Sequence, residues 1–268
     1  MTEQKHPPPG IDATKMSHAR AYDYVLGGKD NYAVDRAGAQ AVIDLAPDLP
    51  VLARAQRRFL LRVVRMCVEA GIEQFLDVGT GIPTSPNVHE TAFAINPDAR
   101  VVYADNDPIV FVHNNALLAR DERVISIDAD VREPQQLFSH AELQKLIDFD
   151  RPLLVLFIGL FHLVTRAEDP ASLVVQFREL MAPGSYVCIS QFCTDGSHPA
   201  AKAKLEEISE NSPAPMTFRT RDEIQRFFDG FELLPPGVVD VQDWWPDEMA
   251  PPTMLKCAAG VGKKAARV

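Results

Sequence analysis

The sequence predicts an α/β fold: a seven-stranded, mostly parallel sheet with helices on both faces, preceded by an all-helical N-terminal extension. Three observations lead there. From residue 74 onward, apolar strand-like runs alternate with helix-like runs, the pattern of a parallel sheet covered on both sides. No strand pattern occurs before residue 72. The first three strand-like runs each end in a carboxylate, and a glycine turn follows the first, at the sheet edge where such folds hold a ligand.

Residues 1–15, "MTEQKHPPPGIDATK", are polar and proline-rich. They are expected to form a disordered tail and lack the apolar stretch of a signal peptide. Residues 16–71 form the helical extension, in which "LPVLARAQRRFLLRVVRMCVEAG" places Leu52, Phe59, Leu60, Val63, Val64, Cys67 and Val68 on one side and closes at Gly71. Residues 72–268 carry the sheet. Its strands are "QFLDV", "ARVVYAD", "RVISIDAD", "RPLLVLFIG", "GSYVCISQF", "FELLPPGVV" and "TMLKCAAGV". Helices are expected over 87–95, 108–119, 141–147, 170–181, 200–210 and 221–228. The last connection, 231–255, has no clear helix, so the final strands are expected as an antiparallel hairpin at the sheet edge.

At 268 residues with 46% hydrophobic and 24% charged residues, the composition is that of an ordinary globular chain. A net charge of −10 argues against nonspecific binding to nucleic acid or anionic membranes, both of which need a basic face. The longest apolar run, "LLVLFIGLF", is too short to span a bilayer. Cys67, Cys188, Cys193 and Cys257 show neither CxxC spacing nor a zinc pattern, as expected for reduced, buried thiols of a cytoplasmic protein. No metal site is expected.

The strand ends of interest read Asp77-Val78-Gly79-Thr80-Gly81, Asp105-Asn106-Asp107 and Asp128-Ala129-Asp130. Glycine lets backbone approach a ligand and adopt positive φ. A dinucleotide site would set pyrophosphate on a helix N-terminus behind G-x-G-x-x-G, but here the third glycine is Thr84. Asp105 stands where a carboxylate accepts both ribose hydroxyls, and Asp130, with Asp128 as its rival, where one accepts from an adenine amine. Asp107, just before Pro108, reads as a helix cap. An adenosine ligand with a cationic end and no phosphates suits this acid-rich rim better than NAD.

In these residues the chain resembles the class I S-adenosylmethionine-dependent methyltransferases, with their Rossmann-like fold. More closely, it resembles an actinobacterial methyltransferase-like family of largely unassigned substrate. The strings "ARAYDYVLGGKDNYAVDR", "FLDVGTGIPTSPNVHE", "ARVVYADNDPIV" and "RTRDEIQRFFDGFELLPPGVV" carry the likeness across nearly the whole chain. The resemblance implies S-adenosylmethionine as cofactor, with Asp77, Gly79, Thr80 and Gly81 along its methionine and ribose part. Asp105 would take the ribose hydroxyls, Asn106 would flank the adenine, Asp130 and Val131 would meet its edge, and Gly159 would lie near the transferable methyl. The chain departs from D-x-G-x-G-x-G at Pro83.

The N-terminal "AYDYVLGGKDNYAVDR" reads either as two helices around a glycine break or as a lid over the methyl donor, with Tyr22 and Asn31 as its contacts. His162, just past the fourth strand, stands where a general base for the acceptor would be. A packed structural histidine is the competing reading. His89 is expected to anchor its helix, and Asp195 and His198 are weaker candidates. The expected function is methyl transfer to a small-molecule acceptor. A non-catalytic sensor of the cofactor or its demethylated product is the alternative, and a nicotinamide oxidoreductase a more distant one. No N/D-P-P-Y/F motif follows the fourth strand, and no nucleic-acid or membrane partner is expected.

Overall fold

The computed structural model describes residues 11–118, 121–210, 212, 214–246 and 250–265. Residues 1–10 of the expected tail lie outside them. Residues 11–15 correct that expectation: they form a turn whose Lys15 carbonyl accepts from the Arg20 guanidinium.

Helix α1 (His18–Leu26) is capped by Ser17 and ends at Gly27 with φ +89°. The chain then doubles back around Asp23, whose carboxylate accepts from the Asp30 amide at 2.9 Å and from the Asn31 side-chain amide at 2.8 Å. Helix α2 (Ala33–Ile43) follows. Its Asp35 carboxylate accepts from the amides of Tyr32 (2.8 Å) and Ser17 (2.9 Å) and from Arg20 Nε (2.7 Å). The two charged side chains are 5% and 0% exposed, so the starts of α1 and α2 are joined through one buried ion pair. Helix α3 (Leu49–Glu69) lays Leu52, Phe59, Val63, Val64 and Cys67 onto the sheet.

Strands β1 (Gln74–Val78), β2 (Arg100–Asp105), β3 (Val124–Asp128), β4 (Leu154–Ile158) and β5 (Tyr186–Cys193) run parallel. Strands β6 (Glu232–Leu233) and β7 (Val239–Asp240) are short, and β8 (Lys256–Lys263) is long. The sheet order is β3-β2-β1-β4-β5-β8-β6, with β7 also on β8. Every pairing of β8 is antiparallel. The expected antiparallel pair stands at the sheet edge, with β8 inserted between β5 and β6 and β6 outermost. The single run "FELLPPGVV" is split into β6 and β7 around Pro235 and Pro236, which have no amide hydrogen to give a ladder.

Helices α4 (Val88–Phe93), α5 (Pro108–Leu118), α7 (Ala141–Leu146), α8 (Pro170–Leu180), α9 (Pro199–Ser209) and α10 (Arg221–Gln225) fall on the expected segments. Helix α6 (Pro134–Ser139) was not anticipated. Neighbouring strand residues face opposite layers: Phe75 and Leu156 pack with α3, Leu76 and Val155 with Phe177 on the other side. The order reverses at β1, with β2 on one side and β4 on the other, which opens a crevice at the carboxyl ends. Among the described residues no helix is long and apolar enough to cross a membrane.

Asp35→Ala leaves Arg20 buried and unpaired, and should lower unfolding free energy by about 3–5 kcal/mol in urea denaturation. Replacing both residues by apolar ones of similar volume should recover most of that loss. Equal losses in the single and double variants would show that the pair's charge is irrelevant.

Candidate functional site at the carboxyl ends of the strands

The turn after β1 is built on two glycines. Gly79 (φ +70°) donates its amide to the Ala104 carbonyl at 2.8 Å, and a Cβ there would sit 2.5 Å from Leu160 Cδ1. Gly81 (φ +66°) donates to Asp105 Oδ2 at 2.8 Å, while Asp105 Oδ1 accepts from the Asp107 amide at 2.9 Å. Burial raises the Asp105 pKa to about 6 even against these amides. Beyond Gly81 the chain does not enter a helix at once. Arg57 donates to the carbonyls of Thr84 (2.6 Å) and Pro86 (2.7 Å), and α4 begins only at Val88. Its first turn is already occupied by its own Glu90 carboxylate, which accepts from the Asn87 amide at 2.5 Å. The departure at Pro83 therefore belongs to an arginine-held loop, with no helix N-terminus offered to a phosphate.

At the end of β4, Gly159 (φ +68°) donates to the Ser190 carbonyl at 2.9 Å. Gln56 of α3 lies beside it, donating to Ser190 Oγ at 2.9 Å and accepting from the Tyr22 hydroxyl at 3.4 Å. At the end of β3, Asp130 accepts from Asn106 Nδ2 at 2.8 Å and from the Arg132 amide at 2.9 Å. Arg132 then reaches Glu168 (2.5 Å) and the Leu163 carbonyl (2.7 Å).

These ends open into one cavity of about 780 Å³, within the roughly 300–1,000 Å³ usual for ligand sites. Tyr22, Gly79, Thr80, Gly81, Asp105, Asn106, Asp130, Val131, Gly159 and His162 all line it. Two expected residues do not. Asn31 is spent on the α1–α2 turn, donating to Asp23 and to the Gly28 carbonyl and accepting from Arg36. Asp77, 5% exposed, lies within β1 beneath the turn. Burial raises its pKa to about 7, Arg57 opposing and Asp105 adding to the shift. Asp107 accepts from the Ile109 amide at 3.0 Å, in keeping with a cap for α5. His89 contacts the Tyr103 hydroxyl at 2.9 Å through Nδ1 and so anchors α4. Asp195 accepts from the Arg221 amide, and neither it nor His198 lines the cavity.

His162 is 7% exposed, and its ring lies 4.8 Å from that of Phe192. Burial first, then His18 and Arg219, push its pKa down to about 3. That keeps the ring neutral and makes it a weak proton acceptor, which argues against the base role expected of it. Its Nδ1 has no partner among the described residues. The loop that carries it is held by Arg219, 3% exposed, which donates to the carbonyls of Phe161 and Val164, both at 2.6 Å. Sequence reading missed His18, Gln56, Arg132 and Arg219; each makes contacts distant in sequence, such as Arg132 with Glu168 and Leu163.

A doubly wound sheet whose β1 turn, β2 acid and β4 glycine share one cavity defines the Rossmann-like class I methyltransferase fold. The S-adenosyl methyltransferase family matches residues 4–265, and the chain belongs to that family. It is an S-adenosylmethionine-dependent methyltransferase with that cofactor, as the motifs led one to expect. A candidate methyltransferase from Thermobifida fusca YX is 42% identical with a TM-score of 0.90, covering 97% of this chain and 99% of that one. A DUF574 family protein from Streptomyces avermitilis MA-4680 is 36% identical at TM-score 0.87, covering 94% and 99%. An O-methyltransferase family protein from Burkholderia thailandensis shares the fold at 13% identity and TM-score 0.53, over 82% of this chain and 58% of that one. No curated protein matches.

Asp77 makes stability depend on pH. Its carboxyl, at about 7 when folded against an ordinary 3.8, binds its proton more tightly in the folded state. That contribution is complete below the unfolded pKa and is lost as pH rises through the folded one. Relative to Asp77→Asn, the wild type should lose on the order of 2–4 kcal/mol between about pH 4 and pH 7. Parallel stability–pH curves for the two proteins would remove Asp77 as the cause.

Proposed function

We propose that the protein transfers the methyl group of S-adenosylmethionine to a small-molecule acceptor, with the donor lying across the carboxyl ends of β1 to β4. The observation that carries this reading is the convergence of Gly79, Gly81, Asp105 and Gly159 on one cavity. Gly79 to Gly81 bring backbone against the ribose and methionine part. Asp105 spends one lone pair of each oxygen on an amide, which leaves acceptor capacity for two ribose hydroxyls. Asn106, Asp130 and Val131 serve the adenine, and Gly159 lies toward the methyl. Asp77 acts through the turn it underlies. The net charge of −10 favours a small acceptor over nucleic acid.

The bound cofactor supplies a sulfonium methyl open to in-line attack. The residues around it align the acceptor and exclude water, with His162 as a neutral orienting ring. Residues 17–36 form the roof: Ser17, His18 and Tyr22 line the cavity, and Ser17 Oγ donates to Asp107 Oδ2 at 2.6 Å, fastening α1 to the end of β2.

Calorimetric titration should show S-adenosylmethionine or S-adenosylhomocysteine binding more tightly than NAD, since no helix starts directly behind the Gly79–Gly81 turn to receive a pyrophosphate. Asp105→Ala should weaken that binding by about 1.5–3 kcal/mol. Tighter NAD binding, or an unchanged dissociation constant in folded Asp105→Ala, contradicts the assignment. If the roof moves as a lid, amides of residues 17–36 gain hydrogen-exchange protection with ligand. Protection already complete without ligand marks a fixed roof.

A further inference from the structure

The cavity extends past the strand ends into the helical layer. Between α1, α2, α3 and α9 its wall is supplied by Val25, Ala39, Val42, Leu52, Leu205 and Ile208. The charged side chains in the cavity wall are already engaged: Arg20 is paired with Asp35, Arg132 with Asp130 and Glu168, and Asp105 and Asp107 hold backbone amides, while Lys15 stands in solvent, 78% exposed, beside Asp12. An ionised acceptor entering this space would lose its hydration without gaining a free counter-charge.

Two imidazoles mark the polar side of the chamber. His18 Nε2 lies 2.8 Å from the Ala214 carbonyl oxygen and 3.0 Å from Ser212 Oγ. A carbonyl only accepts, so Nε2 carries the hydrogen. Burial lowers the pKa of His18, and on the neutral ring Nδ1 keeps its lone pair, since Nε2 makes the contacts to Ser212 and Ala214. Close by, the buried His162 presents an Nδ1 without a partner among the described residues. Both rings line the same cavity.

We infer that the acceptor is an uncharged, largely apolar molecule seated between α1, α2, α3 and α9, whose single hydroxyl or amine donates a hydrogen bond to Nδ1 of His18. The inference rests on the donor-site reading, because the chamber opens onto Gly159 and the strand ends where the methyl is delivered. An apolar body fills the helical side. The heteroatom that receives the methyl is held at the histidine side, where it faces the donor. As its lone pair would form the new bond to the methyl carbon, the carbon–sulfur bond would break with its pair left on the departing thioether sulfur, and the heteroatom's proton would pass to His18 Nδ1 and on to solvent. His18 is then the residue that selects an acceptor with a donor group, and Ala39 and Leu205 limit its size.

Fluorescence titration of 2-naphthol, naphthalene and 2-naphthoate against protein saturated with S-adenosylhomocysteine tests this. The naphthol should bind about tenfold or more tightly than the carboxylate, since that charge finds no partner. It should exceed naphthalene about fivefold, one hydrogen bond's worth. His18→Phe should erase the naphthol–naphthalene difference, which a merely structural role would leave intact. Ala39→Leu should weaken both neutral probes while S-adenosylhomocysteine binds as before. Leu205→Trp fills the same space from α9 if Ala39→Leu does not fold. Preference for the carboxylate, retention of the naphthol advantage in His18→Phe, or probe binding indifferent to both filled variants would overturn the inference. Failure of S-adenosylhomocysteine to bind is seen separately in its own titration, and would sink the donor site; the probe series on ligand-free protein would still decide the chamber.

Discussion

The carboxylate of Asp105 is the constraint on which the site depends. One oxygen holds the Gly81 amide and the other the Asp107 amide, so the turn after β1 and the turn after β2 are set relative to each other by a single side chain. Hydrogen bonds to an ionised group contribute about 1.5–3 kcal/mol each, enough to hold the Gly81 amide, in its positive-φ turn, against the end of β2. Ser17 extends the tie to the N-terminal helices through Asp107. The sheet, its loops and the roof therefore share one polar thread.

Arginines do for the loops what ladders do for the strands. Arg57 donates to the Thr84 carbonyl in the loop after β1, and Arg132 and Arg219 donate to the carbonyls of Leu163 and Phe161 in the short 3-10 turn after β4, adding side-chain partners where no strand ladder supplies them. Arg219 is the most enclosed, and burial brings its pKa down to about 10, still charged near neutrality. Exposed pairs such as Arg166–Glu223 are worth far less, about 0–1 kcal/mol. The placement of Phe161, His162 and Val164 thus rests on Arg219 more than on the surface charges around it.

Much of this was legible in the sequence, and the misses have a common cause. Gly79, Gly81, Asp105 and Gly159 announce themselves because strand, acid and glycine lie within a few residues of each other. Asn31 was misread because its partner, Asp23, sits across a glycine turn and no local pattern distinguishes a turn bond from a ligand bond. Tyr22 reaches the cavity from the same segment because it faces α3. His18, Gln56, Arg132 and Arg219 acquire their roles through contacts such as Gln56 with Ser190 or His18 with Ala214, which tertiary packing alone creates. The strand run around Pro235 looked continuous by apolar content, but the missing amide hydrogens divide it.

The interior position of β8 also fixes an order of events. Among the described residues, strands β6 and β7 pair with β8 alone, which comes later in the chain than either. While residues 232–240 are made, they have nothing to zip onto, and the open side of β5 stays a sticky template for other chains. Parallel strands β1 to β5 can assemble among themselves, whereas the far half of the sheet must wait for β8. The edge of β5 is therefore where an unpaired strand face lasts longest during folding, and where association with other chains is most readily seeded.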